Sequence, residues 1–168
     1  MNKLAIITGG SRGLGREAAL RLAERGVDVL LTYRSAEAEA ASVVGRLESK
    51  GVNALALRLD VADSKSFDGF VARLREGLSV RFGRSDFDFL LNNAGTGLHA
   101  TIDRTSEAQF DELVNTHLKG VFFLTQKLLP LIVDGGRIVN VSSGLARFSM
   151  PGYAAYAMMK GGVEVLTR

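Results

Sequence analysis

The stretch Thr8-Gly9-Gly10-Ser11-Arg12-Gly13-Leu14-Gly15 decides the fold, because it lies between an apolar run, Leu4-Ala5-Ile6-Ile7, and a segment of helical period. Strand, glycine-rich turn and helix in that order are the setting in which such a turn becomes a dinucleotide fingerprint. Residues without Cβ let the turn be tight, bring the backbone close to a pyrophosphate and let the first helix pack closely, while the amides at that helix's N-terminus attract phosphate. For the glycines taken alone, an ordinary strand-to-helix turn is the competing reading.

Outward from the turn, short β-branched or leucine-rich runs alternate with longer segments of helical period. The runs are Leu4 to Thr8, Val27 to Tyr33, Ala54 to Leu59, Phe87 to Asn92 and Arg137 to Ser142. None alternates cleanly between apolar and polar, as expected of strands covered on both faces. The pattern predicts an α/β fold with a doubly wound parallel sheet. Leu14, Ala18 and Leu22 recur at helical spacing and predict the apolar face of the first helix, with Gly26 as its left-handed cap. Ala36 to Ala41 reads as the start of another helix. Ser106 to Val133 predicts one long helix opened by Ser106, with Phe110, Leu113, Val114, Leu118, Val121, Phe122, Leu128 and Leu129 at helical spacing. The last helix begins at about Tyr153 and reaches Arg168 without a terminal stop signal.

With 168 residues, 46% of them apolar, the chain has the material for one domain, 1–168, with a substantial core. Cysteine is absent, which excludes disulfides, cysteine-based zinc sites and thiol nucleophiles and fits a reducing compartment. The net charge of +3 comes from 21 basic and 18 acidic residues interspersed along the chain, so nucleic acid is not implied. The apolar start ends at Thr8-Gly9-Gly10 without a signal-peptide cleavage site, and no uncharged apolar stretch reaches about 18 residues. A soluble, cytoplasmic protein without membrane contact is the expectation.

An NAD site carries an acid at the end of the second strand for the ribose 2′-hydroxyl, whereas an NADP site prefers a cation there. Here the strand ends Thr32-Tyr33-Arg34-Ser35, without a carboxylate. Arg34 can fork onto a 2′-phosphate, and Arg12 in the glycine turn is placed to reach the same group. Together they point to NADP(H), although either arginine alone is equally a solvated surface side chain.

Gly9, Gly13 and Gly15 form TGxxxGxG in place of the GxGxxG of most dinucleotide folds, and this resembles the short-chain dehydrogenase/reductase family. Asn92-Asn93-Ala94-Gly95 is similar to that family's NNAG signature, at the carboxyl edge where doubly wound sheets bind ligands. Tyr156 and Lys160 form YxxxK, one helical turn apart on one face, and Ser143 precedes Tyr156 by thirteen positions, the spacing of the family. Ser142 and Tyr153 are the competing residues. Adjacent strand side chains point oppositely, so only one serine can face the substrate, and the residue four beyond Tyr153 is Ala157.

The resemblance implies cofactor contacts from Thr8, Gly9, Ser11, Arg12, Gly13, Leu14, Gly15, Tyr33, Arg34, Ser35, Asp60, Val61, Asn92, Ala94, Gly95, Tyr156 and Lys160. Asp60 would meet the adenine amine, and an Asp that caps the next turn remains the alternative. It implies catalysis by Ser143, Tyr156 and Lys160, with the Asn115 carbonyl in Val114-Asn115-Thr116 holding a water linked to the lysine. In that scheme Lys160 lowers the pKa of the Tyr156 phenol and holds the nicotinamide ribose. Hydride would pass between the nicotinamide and a carbonyl or alcohol substrate, with Tyr156 as proton donor and Ser143 bonded to the developing alkoxide. No metal is required; His99 and His117 are read as structural or surface residues.

Tyr33-Arg34-Ser35 and the run Gly136 to Ser143 are most similar to ketoreductases of the 3-oxoacyl-[acyl carrier protein] type, which extends the expectation to a 3-oxoacyl thioester substrate. Family members are longer, so the resemblance implies a sheet left incomplete at its C-terminal side and a homodimer or homotetramer when full length. Two other readings stay open: a catalytically inactive NADP-binding sensor or fragment on the same fold, and a non-enzymatic interaction fragment.

Overall fold

The computed structural model describes residues 2–168. Strands β1 (Leu4–Ile7), β2 (Asp28–Tyr33), β3 (Ala54–Arg58), β4 (Phe87–Asn92) and β5 (Ile132–Asn140) form one sheet in the order β3-β2-β1-β4-β5, with every neighbouring pair parallel. Parallel neighbours require crossovers, supplied by helices α1 (Gly13–Ala23), α2 (Glu37–Glu48), α3 (Phe67–Phe82), α4 (Glu107–Val114), α5 (Gly120–Leu128) and α6 (Ala154–Thr167). The chain moves outward from β1 to β3, then returns to place β4 on the other side of β1. Ligands bind at the crevice made by such a reversal, beyond the carboxyl ends of β1 and β4.

Alternation along the strands divides the core in two. Leu4 and Ile6 join Leu30 and Leu90 against Phe70 and Leu74 of α3 and Leu124 of α5. Ala5 and Ile7 join Val29 and Leu31 against Leu20 of α1 and Val43 and Leu47 of α2. Both faces are dry, which is why the strands read as continuous apolar runs.

Three elements depart from the expectations. The face of α1 that meets the sheet is Gly15, Ala19, Leu20 and Ala23, and Leu14 is 74% exposed, because small residues let the helix approach the strands. Gly26, with φ 73°, closes the turn after α1, and Val27 N–H reaches back to Leu22 O. The long helix opens with a capping box between Ser106 and Gln109, but it is interrupted by a π-helical turn, Asn115–Lys119, and ends at Leu128. Pro130 has no amide to continue it, so a 3-10 turn, Leu129–Leu131, leads into β5. Strand β5 thus starts at Ile132, five residues before the expected Arg137, and ends at Asn140. Asp134-Gly135-Gly136 resembles a turn, yet the ladder absorbs it as a bulge: Phe87 pairs with Ile132 and Phe89 with Arg137, and Gly135 has φ 80°. Only β4 flanks β5 among the described residues, and Val139 is 54% exposed. No helix is long and apolar enough to cross a membrane among these residues.

Candidate active site

The glycine turn and the end of β4 are locked together through Thr8. Its Oγ1 accepts from the amides of Asn93 and Ala94, each at 3.0 Å, and the Asn93 side chain donates back to Thr8 O and Gly9 O. Close approach dictates glycine here. A Cβ on Gly9 would stand 2.9 Å from Ala94 Cα, and one on Gly15 would run into the Gly9 carbonyl.

Above this junction lies a cleft of about 530 Å³. The turn contributes Gly9, Ser11, Arg12 and Leu14; the end of β2, Tyr33, Arg34 and Ser35; the segment after β3, Asp60 and Val61; and the segment after β4, Ala94 and Gly95. Thr8, Gly13, Gly15 and Asn92 do not line it. Thr8 and Gly15 are buried beneath the turn, and the Asn92 amide points away, donating to Thr125 Oγ1 at 3.1 Å and Asn140 Oδ1 at 2.8 Å. Asn93 lines the cleft in its place, with Thr96, Gly97 and Thr116, which the sequence reading missed. Period-two alternation at the end of β4 makes one asparagine face each way, but a sequence does not say which.

Arg12 and Arg34 are exposed at the cleft, and neither side chain is hydrogen-bonded or ion-paired among the described residues. Glu37, the next carboxylate after Arg34, faces Tyr33 outside the cleft; burial, then the charge and hydrogen bond of Glu37, lift the Tyr33 phenol above its ordinary range. Asp60 accepts from Ala62 N–H at 3.0 Å, so its turn-capping role is met while it also lines the cleft.

On α6, Lys160 follows Tyr156 by one turn. The lysine is buried, its Nζ donates to Val141 O at 2.7 Å, and it lies 5.7 Å from the centroid of the Tyr156 ring. Burial pushes its pKa down. Burial also lifts the Tyr156 phenol above its usual value, with Ser143 beside it pulling the other way. The expectation that Lys160 lowers this pKa is therefore not met in this geometry: the ammonium is directed at the Val141 carbonyl, and desolvation dominates at the phenol. Ser143 caps a short 3-10 turn, accepting from Leu145 N–H at 3.2 Å, whereas Ser142 donates to Glu164 Oε1 at 3.0 Å. The two serines thus diverge. Asn115 heads the π-helical turn; its carbonyl accepts from Gly120 N–H, and it makes no hydrogen bond with Ser143, Tyr156 or Lys160 among the described residues.

The histidines separate. His99 stacks edge-on with Tyr153 at 5.0 Å between ring centroids. His117 is 1% exposed, with Nε2 2.7 Å from Thr96 O and its ring edge-on to Tyr156 at 5.3 Å. It belongs to the site, though no local pattern marks it.

A glycine turn at the reversal point of a parallel sheet, over a cleft carrying free arginines, is the architecture of dinucleotide-binding α/β proteins. Within that class the chain belongs to the short chain dehydrogenase family, whose model matches residues 3–168. It is 39% identical over 170 residues to the 3-oxoacyl-[acyl-carrier-protein] reductase FabG of Staphylococcus aureus (strain N315), covering 100% of this chain and 67% of that protein. The angucycline C-6 ketoreductase LanV, solved with bound NADP, superposes with a TM-score of 0.94 at 35% identity, over 98% of this chain and 64% of that one. A short chain dehydrogenase from Burkholderia cenocepacia J2315, in complex with NADP, superposes at 0.89 with 35% identity, over 98% and 65%. The chain thus spans about two thirds of the length of these relatives.

Proposed function

We propose that this chain carries the cofactor site and catalytic group of an NADP(H)-dependent oxidoreductase that interconverts a carbonyl and an alcohol. The observation that carries this reading is the meeting of Ser143, Tyr156 and Lys160, linked through His117 and Thr96 to the glycine-turn cleft.

The residues present fit the cofactor. Gly9 and Gly15 let the turn after β1 close tightly on Ala94 and on itself, which sets the N-terminus of α1 at the cleft for a pyrophosphate, and Arg12 and Arg34 offer two unpartnered cations for a 2′-phosphate. When bound, the dinucleotide supplies or accepts the hydride. In the reducing direction Tyr156 would give its proton to the carbonyl oxygen; a phenol of ordinary pKa, 10.0, is already protonated near neutral pH, and burial moves it further the same way. Ser143 donates to the oxygen as charge develops. Lys160 would hold the nicotinamide ribose hydroxyls, and Asn115 contributes through a carbonyl that keeps a second lone pair for water.

Beside Tyr153 a second cleft of about 490 Å³ is lined by apolar side chains including Ile102, Phe148 and Met150, which suits the uncharged part of a substrate. The likeness to FabG supports a 3-oxoacyl thioester as that substrate. Exposed Phe122 and Phe123 on α5 and Met158 and Val165 on α6 support association between copies of the chain.

Two measurements test the reading. Fluorescence titration with NADPH and NADH checks the cofactor: NADPH binds more tightly, and Arg34→Glu removes the difference. NADPH oxidation against a panel of 3-oxoacyl thioesters and cyclic ketones checks the chemistry, with Tyr156→Phe slowing turnover by about 10²–10⁴. Full activity in Tyr156→Phe would refute the assignment of the proton donor, and tight NADPH binding without turnover of any carbonyl would favour the inactive NADP-binding alternative.

A further inference from the structure

We infer that His117 is a positioning residue of this site, an imidazole that sets the Tyr156 phenol against the loop following β4. The inference rests on the reductase reading for its functional meaning, but its geometry is independent of it.

Three segments converge on this ring. His117 sits in the π-helical turn between α4 and α5, a local widening of the helix that re-aims side chains and recurs at functional sites. From the loop after β4, Thr96 presents its carbonyl 2.7 Å and its amide 3.3 Å from Nε2. The two contacts exclude each other, since the carbonyl needs a proton on Nε2 and the amide a lone pair there; the shorter one favours the Nε2–H tautomer, which leaves the Thr96 amide without that bond. From the same loop Gly95 packs against the ring edge: a Cβ there would lie 2.7 Å from His117 Cε1. From α6, the Tyr156 ring meets the imidazole edge-on at 87°.

Gly95 and Thr96 line the cleft, and Tyr156 is the proposed proton donor. His117 is therefore the mechanical link between cofactor wall and phenol. The polar groups facing it are the Thr96 carbonyl and amide, the Tyr156 phenol and the Lys160 ammonium. Burial, then the Lys160 charge, hold the imidazole below its usual pKa, and the Thr96 carbonyl opposes this. A neutral ring adds no second cation beside Lys160, which leaves orientation as its contribution.

The test uses NMR of the chain without cofactor or substrate, so that failure of the reductase reading and failure of this inference remain distinguishable. The chain has two histidines and three tyrosines, and His99→Asn and Tyr156→Phe assign the signals. In the wild type, imidazole nitrogen shifts should report Nε2–H for His117 and neutrality at pH 7. Three variants then divide the contacts: His117→Ala removes both, His117→Phe keeps a ring without the Thr96 bond, and His117→Asn keeps a donor without the ring. In each that folds, the Tyr156 phenol titration should move while that of Tyr33 stays. The partial replacements should lie between alanine and wild type, with turnover lowered at least about tenfold and the KM for NADPH unchanged. A protonated Nδ1 in the wild type, or an unmoved Tyr156 titration in folded His117→Phe, would overturn the inference. Should His117→Ala not fold, the wild-type tautomer and the phenylalanine variant still decide it.

Discussion

The side-chain amide of Asn93 donates to the carbonyls of both Thr8, at 2.9 Å, and Gly9, at 3.1 Å, so the end of β4 and the turn after β1 move as one piece. Asn93→Ala should orphan both carbonyls and lower stability by about 1–3 kcal/mol, measured by urea unfolding. Asn93→Asp should be worse, because a carboxylate faces two carbonyls with no proton to give. An aspartate variant as stable as wild type would show that these bonds do not hold the turn.

Glycine positions should divide sharply. Gly15→Ala drives a methyl into the Gly9 carbonyl and the Asn93 amide, and should cost about 1–3 kcal/mol while weakening NADPH binding. Gly45, in the middle of α2, has open space where its Cβ would go, so Gly45→Ala should stabilise by about 0.5–1 kcal/mol through helix preference. Thermal melts of the two variants should shift in opposite directions.

The adjacent serines make a further contrast. Ser143→Ala removes the hydroxyl beside Tyr156 and should lower turnover by about 10²–10³ with little change in the melting temperature. Ser142→Ala loses the bond to Glu164 and a long contact of 3.5 Å to the Lys160 carbonyl, and should leave turnover within a few-fold. Equal losses would mean that the strand end does not separate the two side chains as described.

At the opposite end of the sheet, buried Asp88 accepts from Lys3 at 2.7 Å, Leu4 N–H at 2.9 Å and Arg84 at 3.0 Å. Desolvation raises its pKa, but the hydrogen bonds from Lys3, Leu4 and Arg84 and the Arg84 charge outweigh it, and the net shift is below the ordinary 3.8. The native carboxylate therefore holds off protonation when the unfolded one does not. Its stabilisation is complete above about pH 5 and is lost as pH falls from 3.8 through the native value. Asp88→Ala should cost about 1–3 kcal/mol at pH 7, by leaving the Leu4 N–H unpartnered and Arg84 with Asp86 as its one remaining carboxylate, and should flatten the acid limb of a stability–pH curve. An unchanged acid limb would assign that limb to other carboxylates.

The legible parts of this protein are those where backbone geometry admits few residue types. The turn Thr8 to Gly15 and the segment Asn92 to Gly95 sit where two strand ends nearly touch, so their glycines and small residues are visible in one sequence. Strands β1 to β4 matched to within a residue at each end, since β-branched and leucine runs between glycines leave little choice. Tertiary fit hid the rest. Leu14 looks like core, but α1 presents small residues to the sheet. Asp134-Gly135-Gly136 looks like a turn, but β4 recruits it into the ladder. His117 becomes part of the site through Thr96, 21 positions away, and no periodicity encodes that contact.

The sheet also acts as a partition. Leu4 and Ile6 serve one hydrophobic compartment, Ala5 and Ile7 the other, and no side chain belongs to both. Repacking beneath α2 therefore has no direct route to the compartment under α3, and losses from Leu47→Ala and Leu74→Ala should simply add. The glycine turn is anchored at the rim where the compartments end, by main-chain ladders and by Thr8 and Asn93. Evolutionary drift in either interior can thus proceed while the rim keeps its shape.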